Sequence, residues 1–160
     1  MKKINAFAIL AMVVLGACGP RNLAPAGMAP PMDPTLAVAP PVDDSAAIAG
    51  RVLQQINTLR GNIGAAALTP NPQLEAAALA HSRDMSAQNR AWHWGSDGSS
   101  PLDRARRQGY AGTVVGENIS ESYETEIQTL SAWMSTRDTR DVIMDPTATQ
   151  LGFAWFKEPS

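Results

Sequence analysis

The sequence predicts an α+β domain in which three or four helices pack around a small sheet. Two observations carry this prediction. Apolar residues recur every three or four positions in several segments separated by turn residues, and two later segments have the composition of strands. The elements do not alternate as βαβ units, which excludes a parallel α/β sheet. The folded part, residues 44–160, has the length of one small domain.

The first predicted helix starts after the capping residues Asp43, Asp44 and Ser45 and stops near Gly61 and Gly64. Its apolar positions have helical spacing: Ile48, Val52, Leu53, Ile56 and Leu59.

The second helix follows the turn 68–72 and runs to about Asn89. Asn71 is a suitable N-cap, and Pro72 suits the first helical position because its missing N–H would have no partner there. His81 lies on the apolar stripe of this helix, where a histidine is more often a hydrogen-bonded core residue than a ligand. We therefore expect His81 to be buried.

A short third helix is predicted from Leu102 to Gln108, capped by Ser99 or Ser100, with Pro101 near its start. Its three arginines allow two interpretations, a phosphate site or a solvated face balanced by Asp97 and Asp103, and the second is favoured. These arginines are Arg104, Arg106 and Arg107.

The rest of the domain contains two predicted strands and one or two helices. Thr113 to Ile119 favours extended structure, and Leu151 to Phe156 has the composition of a buried strand. An amphipathic helix is predicted from Glu124 to about Thr136, and residues 137–144 add a further helical turn. The side chains expected to face the core from this helix are Ile127, Leu130, Trp133 and Met134.

The N-terminus has the pattern of a secretory signal, residues 1–17. Lys2 and Lys3 precede an apolar run from Phe7 to Leu15, which is too short to span a bilayer as a helix. The single cysteine, Cys18, follows Leu-Gly-Ala, and an exported lone cysteine has no disulfide partner. This ending resembles the bacterial lipobox, which implies a lipid anchor on Cys18 in the outer membrane, with the domain facing the periplasm or the exterior.

A tether, residues 18–43, separates the predicted anchor from the domain. Seven of the twenty-five residues from Gly19 to Asp43 are proline, a composition that favours extended polyproline-like chain. Without the signal, the chain carries about four net negative charges at neutral pH. This charge argues against general binding of nucleic acid, which requires a basic surface.

Five motifs follow one another between Ser45 and Trp155: Leu68–Leu74, Ala80–Met85, His93–Pro101, Gly116–Ile119 and Trp133-Met134. In this order and spacing they resemble the bacterial branch of the CAP superfamily (cysteine-rich secretory proteins, antigen 5 and pathogenesis-related proteins). The resemblance implies a secreted α-β-α sandwich with a small antiparallel sheet. Family domains usually continue to one more strand, so we expect either a sheet without that strand or a truncated sequence, with an unpaired edge at residues 151–156.

The resemblance also implies a cleft around His93 and Glu117, with Trp94 and Asn118 beside them. In several family members two histidines and one or two glutamates bind a divalent ion such as zinc. Thr139 stands where the second histidine is expected, and Thr is a poor zinc ligand. We therefore expect at most weak metal binding by His93 and Glu117, unless Asp138, Glu121 or water completes the ligand set.

Three functions remain open. The favoured one is a non-enzymatic binding module whose cleft takes a small apolar ligand, such as a lipid, or an envelope component. The second is a protease-like or esterase-like hydrolase that uses the His/Glu pair, with Ser96 or Ser120 as the candidate nucleophile and no residue assigned as catalytic. The third is a structural envelope module with a vestigial cleft.

Overall fold

The computed structural model describes the backbone of residues 5–13 and the whole of residues 45–157. Within these ranges the chain forms five helices and four strands. In chain order they are β1 (Asn5–Val13), α1 (Ser45–Asn62), β2 (Thr69–Pro70), α2 (Pro72–Gln88), α3 (Pro101–Arg107), β3 (Thr113–Ser120), α4 (Glu126–Ser135), α5 (Arg137–Met144) and β4 (Gln150–Lys157). Among the described residues no helix has both the length and the apolar character needed to cross a membrane.

The four strands form one sheet in the order β2-β4-β1-β3. Strand β1 pairs antiparallel with β3 on one side and with β4 on the other. The two-residue strand β2 pairs parallel with β4, within a segment for which the sequence predicted only a turn. The pairing of β1 with β3 shifts by one residue between Ala11 and Met12, where β3 is bulged around Val115.

Strand β1 covers most of the apolar run assigned to the secretory signal. It pairs with β4 along residues 150–157, whereas β2 pairs only with Gln150 and Leu151. Among the described residues no further strand therefore lies along the other edge of residues 152–156, in line with the expectation for this edge. Processing after Ala17 would remove this strand from the sheet. The signal at residues 1–17, the tether at residues 18–43 and the anchor on Cys18 stay predictions, since most of these residues lie outside the described ranges.

The helices cover both faces of the sheet. On one face α1 packs on β4 and α5 packs on β3, while α4 contacts both of these helices, and their side chains form the larger core cluster. Its buried members include Ile48, Val52, Ile56, Leu130, Trp133, Ile143, Leu151 and Phe153. On the other face α2 and α3 contribute Leu74, Ala77 and Ala105, which pack with Tyr110. The predicted α+β class and α-β-α sandwich are therefore confirmed.

Several local predictions are also confirmed, and one is wrong. Asn71 caps α2 by accepting from the N–H of Leu74, and Ser100 caps α3 in a reciprocal pair with Asp103. Residues 137–144 form a full helix, α5, rather than one added turn. Ile127 was expected in the core, but it is 46% exposed. Because α4 packs through Leu130 and Trp133, three and six residues further on, Ile127 lies at the edge of that face.

Gly152 allows β4 to lie directly against α2. A Cβ at this position would be 2.2 Å from the carbonyl carbon of Leu74 and 2.4 Å from the nitrogen of Glu75. Both atoms belong to the backbone, so a side-chain rotation cannot relieve the contact. The sheet and α2 must separate if this residue gains a methyl group.

We expect Gly152→Ala to lower the free energy of unfolding by roughly 2–3 kcal/mol, the upper part of the range for overpacked cores. Gly50→Ala is the matched control, because a Cβ there meets nothing within 4 Å and the position is inside α1. The control should be more stable than wild type by about 0.5–1 kcal/mol. Urea unfolding measures both, and equal stabilities would contradict the close packing.

Candidate functional site

Glu117 places a carboxylate inside the fold. It lies in the middle of β3, and its side chain is only 3% exposed. Side chains alternate along a strand, so Glu117 points to the α2 and α3 face of the sheet and its neighbour Asn118 to the α5 face. A buried carboxylate requires charged or hydrogen-bonding partners. Three side chains from three different segments approach it.

Arg104 of α3 provides the principal counter-charge. Its Nη2 donates to Glu117 Oε2 at 2.7 Å, and the Arg104 side chain is itself 7% exposed. Its Nη1 donates to the backbone oxygens of His93 at 3.0 Å and Ser99 at 2.9 Å. Arg104 therefore ties the carboxylate of β3 to both ends of the loop 93–99.

His93 lies between the buried carboxylate and the surface. Its Nδ1 donates to Glu117 Oε1 at 3.0 Å, while its side chain is 54% exposed. Because Nδ1 carries the proton in this bond, Nε2 of the neutral ring has its lone pair available. The flanking Trp92 and Trp94 are 52% and 57% exposed, and the guanidinium of Arg90 stacks 4.1 Å from the centre of the Trp92 ring.

His81 of α2 is the third group near Glu117, and it is buried as the apolar stripe predicted, with 1% exposure. Its Nε2 is 2.7 Å from the carbonyl oxygen of Trp92 and 3.9 Å from Glu117 Oε1. Since a carbonyl only accepts, Nε2 is the donor and Nδ1 of the neutral ring holds the lone pair. Burial lowers the pKa of His81, although Glu117 opposes this shift.

The lowered pKa of His81 predicts a loss of stability in mild acid. The fold favours the neutral ring, so the unfolded chain takes up the proton first as the pH falls below about 6.5. Stability should therefore be complete above pH 6.5 and should decline below it, until the folded ring is protonated as well.

Urea unfolding between pH 7.5 and 5 measures this decline. His81→Gln, which keeps a side-chain donor for Trp92 but does not titrate, should flatten the curve. His93→Gln, which removes the exposed histidine, should keep it. A His81→Gln curve as steep as that of wild type would assign the decline to other groups.

Asn118 lies on the opposite face of β3 from Glu117, where it connects the strand to α5. It is 1% exposed, and its Nδ2 donates to the carbonyl oxygen of Thr139 at 2.8 Å. The Thr139 hydroxyl donates in turn to the carbonyl oxygen of Trp133 at 2.6 Å. Asn118 thus links β3 to the start of α5 and does not share a surface with His93 and Trp94.

These residues do not fit a zinc ion. Arg104 already occupies Glu117 Oε2 with a positive charge, and the Thr139 hydroxyl is directed to a backbone carbonyl. Within residues 45–157 no three His, Cys, Asp or Glu side chains are arranged to hold a metal ion. The predicted partners Asp138 and Glu121 are therefore not assembled with His93 and Glu117.

Sequence reasoning missed Arg104. The three arginines of α3 were interpreted as a solvated face, and this is right for Arg107, which forms an ion pair with Asp97 at the surface. It is wrong for Arg104, which is buried, while Asp103 is occupied in the helix cap. A carboxylate predicted in a cleft needs a nearby cation. That requirement could have identified one of the arginines of α3 as the partner of Glu117 from the sequence.

Known proteins share both the sequence pattern and the fold. The family model of the cysteine-rich secretory protein family, CAP, matches residues 53–160. The uncharacterised protein YkwD of Bacillus subtilis is 28% identical over 110 residues, which are 69% of this chain and 43% of YkwD. The chain thus spans less than half the length of this relative.

Two solved structures resemble the fold. One is an extracellular protein containing an SCP domain from Bacillus anthracis, with a TM-score of 0.66 and 20% identity, over 76% of this chain and 45% of that one. The other is an outer surface protein of Borrelia burgdorferi, with a TM-score of 0.63 and 13% identity, over 73% of this chain and 96% of that one. At these identities they support the fold alone. The family match over two thirds of the chain, on this α-β-α frame, shows that the protein belongs to the CAP family.

Proposed function

We propose that this protein is an exported, envelope-tethered, non-enzymatic binding module. Its binding surface would consist of Trp92, His93 and Trp94, held over the buried Glu117. Export and a lipid anchor on Cys18 belong to this proposal and rest on the sequence pattern of residues 1–18. The solved relatives are named as extracellular and outer surface proteins, which supports export.

The hydrogen bonds that Glu117 already accepts are the observation that supports a non-enzymatic function. Both carboxylate oxygens already accept charge-assisted bonds, from His93 and from Arg104, and Arg104 is fixed by two backbone carbonyls. A general base must also lie within hydrogen-bonding reach of a substrate proton, and the Glu117 side chain is only 3% exposed. Glu117 is therefore better suited to holding the loop 93–99 in place than to proton transfer.

The exposed tryptophans favour an extended partner. Tryptophan is among the residue types enriched in binding hot spots, and Trp92 and Trp94 are both more than half exposed. Tyr110, by contrast, is buried in the core, so it does not line an apolar pocket with them. An envelope component that covers the surface fits this arrangement better than a small apolar ligand, which requires an enclosed cavity.

The test is co-sedimentation of the purified full chain with isolated peptidoglycan sacculi and, separately, with phospholipid vesicles. Both use a Cys18→Ser background so that no lipid anchor contributes. Trp94→Ala should weaken sedimentation about tenfold, the effect of losing one hot-spot side chain. Ile63→Ala, at an apolar residue that is 61% exposed elsewhere, is the matched control and should bind like wild type.

Other outcomes would decide between the alternatives. Binding to neither material, or equal binding by Trp94→Ala, would reject this surface and favour the structural module. Saturable uptake of a fatty acid from solution that Trp94→Ala abolishes would replace the envelope partner by a small apolar ligand. Cleavage of peptide or ester substrates that disappears in both His93→Ala and Glu117→Ala would establish a hydrolase instead.

A further inference from the structure

Strand β1 has an interior position in the sheet, although it consists of residues that belong to the predicted export signal. Residues 5–12 pair antiparallel with β4, and residues 7–13 pair antiparallel with β3. Among the described strands β1 alone lies between these two. Cleavage after Ala17 would therefore leave the processed domain without the strand that joins β3 to β4.

The loss of β1 would remove backbone hydrogen-bond partners from two strands at once. Both β3, over residues 113–120, and β4, over residues 150–157, pair with it. Backbone N–H and C=O groups inside a protein need a partner, so a gap of this length is costly. Helix α2 packs on β1 as well as on β4, and it would lose that contact too. The processed domain therefore requires another strand in the same position.

Apolar side chains flank the β1 position on both faces of the sheet. On the α2 face, Ala154 of β4 packs with Ala78 of α2, and Ile119 of β3 packs against this pair. Both Ala154 and Ile119 pair with residue 8, so they stand on either side of the position. On the other face, Phe153 belongs to the larger core cluster. A strand that is buried on both faces has a continuous apolar sequence, and the sequence of β1, NAFAILAMV, is of this kind.

The two polar side chains in the middle of β3 do not require a charged partner from a neighbouring strand. Glu117, which pairs with residue 10, accepts through both carboxylate oxygens from the loop 93–99 and from α3. Asn118, which pairs with residue 9, donates to a backbone carbonyl of α5. A charge introduced between β3 and β4 would be buried without a counter-charge. A strand in this position is therefore expected to be uncharged.

The residues that follow the predicted cleavage site are poorly suited to replace β1. Prolines divide residues 18–43 so that the longest stretch without proline has five residues, 35–39. Proline has no N–H to donate and is excluded from interior strands. Residues 45–157 already form the helices, strands and loops of the domain. A second processed copy has the same sequence, so these observations favour a strand from a different polypeptide.

We propose that the processed domain binds an uncharged apolar strand of another envelope polypeptide between β3 and β4, antiparallel to both. This interaction rests on the export and cleavage that belong to the proposed function. The bound strand has eight or nine residues, because β3 and β4 each have eight and β1 has nine. Since Glu117 belongs to β3 and holds the loop 93–99, the bound strand also supports the surface that carries Trp94.

The experiment compares the processed chain, purified from the cell envelope, with the full chain. The probe is a fluorescent peptide with the sequence of residues 5–13 between pairs of lysines, and fluorescence anisotropy measures its binding. We expect the processed chain to bind it with a Kd on the order of 1 μM. The full chain should bind more than about tenfold more weakly, because its own β1 competes at a high effective concentration. The matched control is the same peptide with Ile9→Pro, which removes one backbone N–H and should abolish binding.

Hydrogen exchange locates the bound peptide. It should slow amide exchange in residues 113–120 and 150–157 of the processed chain to the rates of the full chain. Trp94→Ala should bind the peptide like wild type, which separates this site from the proposed binding surface.

Three results would overturn the proposal. Equal affinity of the peptide for the processed and the full chain would show that it binds elsewhere. Absence of binding to the processed chain would show that the position between β3 and β4 does not accept a strand from another polypeptide. Both results would leave export and cleavage intact. A mass spectrum in which the protein from the envelope retains residues 5–13 would contradict the cleavage itself, and the proposal with it.

Discussion

Replacing Arg60 by methionine is expected to lower the free energy of unfolding by roughly 3–5 kcal/mol. Arg60 lies near the end of α1 and has 0% exposure. Its guanidinium donates to four backbone carbonyls between 2.8 and 3.0 Å, those of Ala66, Ile143, Asp145 and Ala148. Methionine fills a similar volume but leaves these carbonyls without their donor.

The measurement is urea unfolding of Arg60→Met beside Arg140→Met. Arg140 forms an ion pair with the exposed Asp141, and its own side chain is 45% exposed, so its replacement should cost less than about 1 kcal/mol. Arg60→Lys should lie between the two, because an ammonium group keeps the charge but lacks the planar fork of donors. A loss below 1 kcal/mol in Arg60→Met would show that the segment 143–148 does not depend on this side chain.

Arg60 also shows what the sequence could and could not predict about the core. The apolar series Ile48, Val52 and Ile56 has a spacing of four, and the next position in that series is residue 60. The periodicity thus pointed to burial, while the charge pointed to the surface. The predicted apolar face of α1 does not include Arg60. A long cation can be buried when it donates to buried backbone carbonyls, and three of the four carbonyls that Arg60 satisfies belong to residues 143–148, far away in the sequence.

Local signals did predict the elements of the domain. Asn71 and Ser100 mark the starts of α2 and α3 because capping depends only on residues within one turn. The approach of His93 to Glu117, at 3.0 Å, followed from the resemblance between motifs and not from local spacing. The apolar run in the segment 5–13 is compatible with both an export signal and a strand. In this structure the segment is a strand because it pairs with β3 and β4, and those partners are far away in the sequence.

Removing Arg104 is the second change with a large expected effect. Arg104→Met leaves the Glu117 carboxylate buried without its counter-charge, a loss of about 3–5 kcal/mol for pairs of this kind. It also releases the backbone oxygens of His93 and Ser99, so the loop that presents Trp94 loses its fixed position. We therefore expect Arg104→Met to weaken both folding and sedimentation with sacculi. Arg106→Met, on the same helix but outside the Glu117 cluster, is the matched control and should change neither strongly.

The double variant Arg104→Met with Glu117→Gln separates charge from packing. Once the carboxylate is neutral, the loss of Arg104 no longer strands a buried charge, so the double variant should be more stable than Arg104→Met alone by about 1–3 kcal/mol. The amide oxygen of glutamine can still accept from His93 Nδ1, but nothing replaces the bonds from Arg104 to the loop. Folding should therefore recover while sedimentation with sacculi stays weak. Recovery of both would show that the charge on Glu117, and not the anchoring of the loop, is what Arg104 contributes to binding.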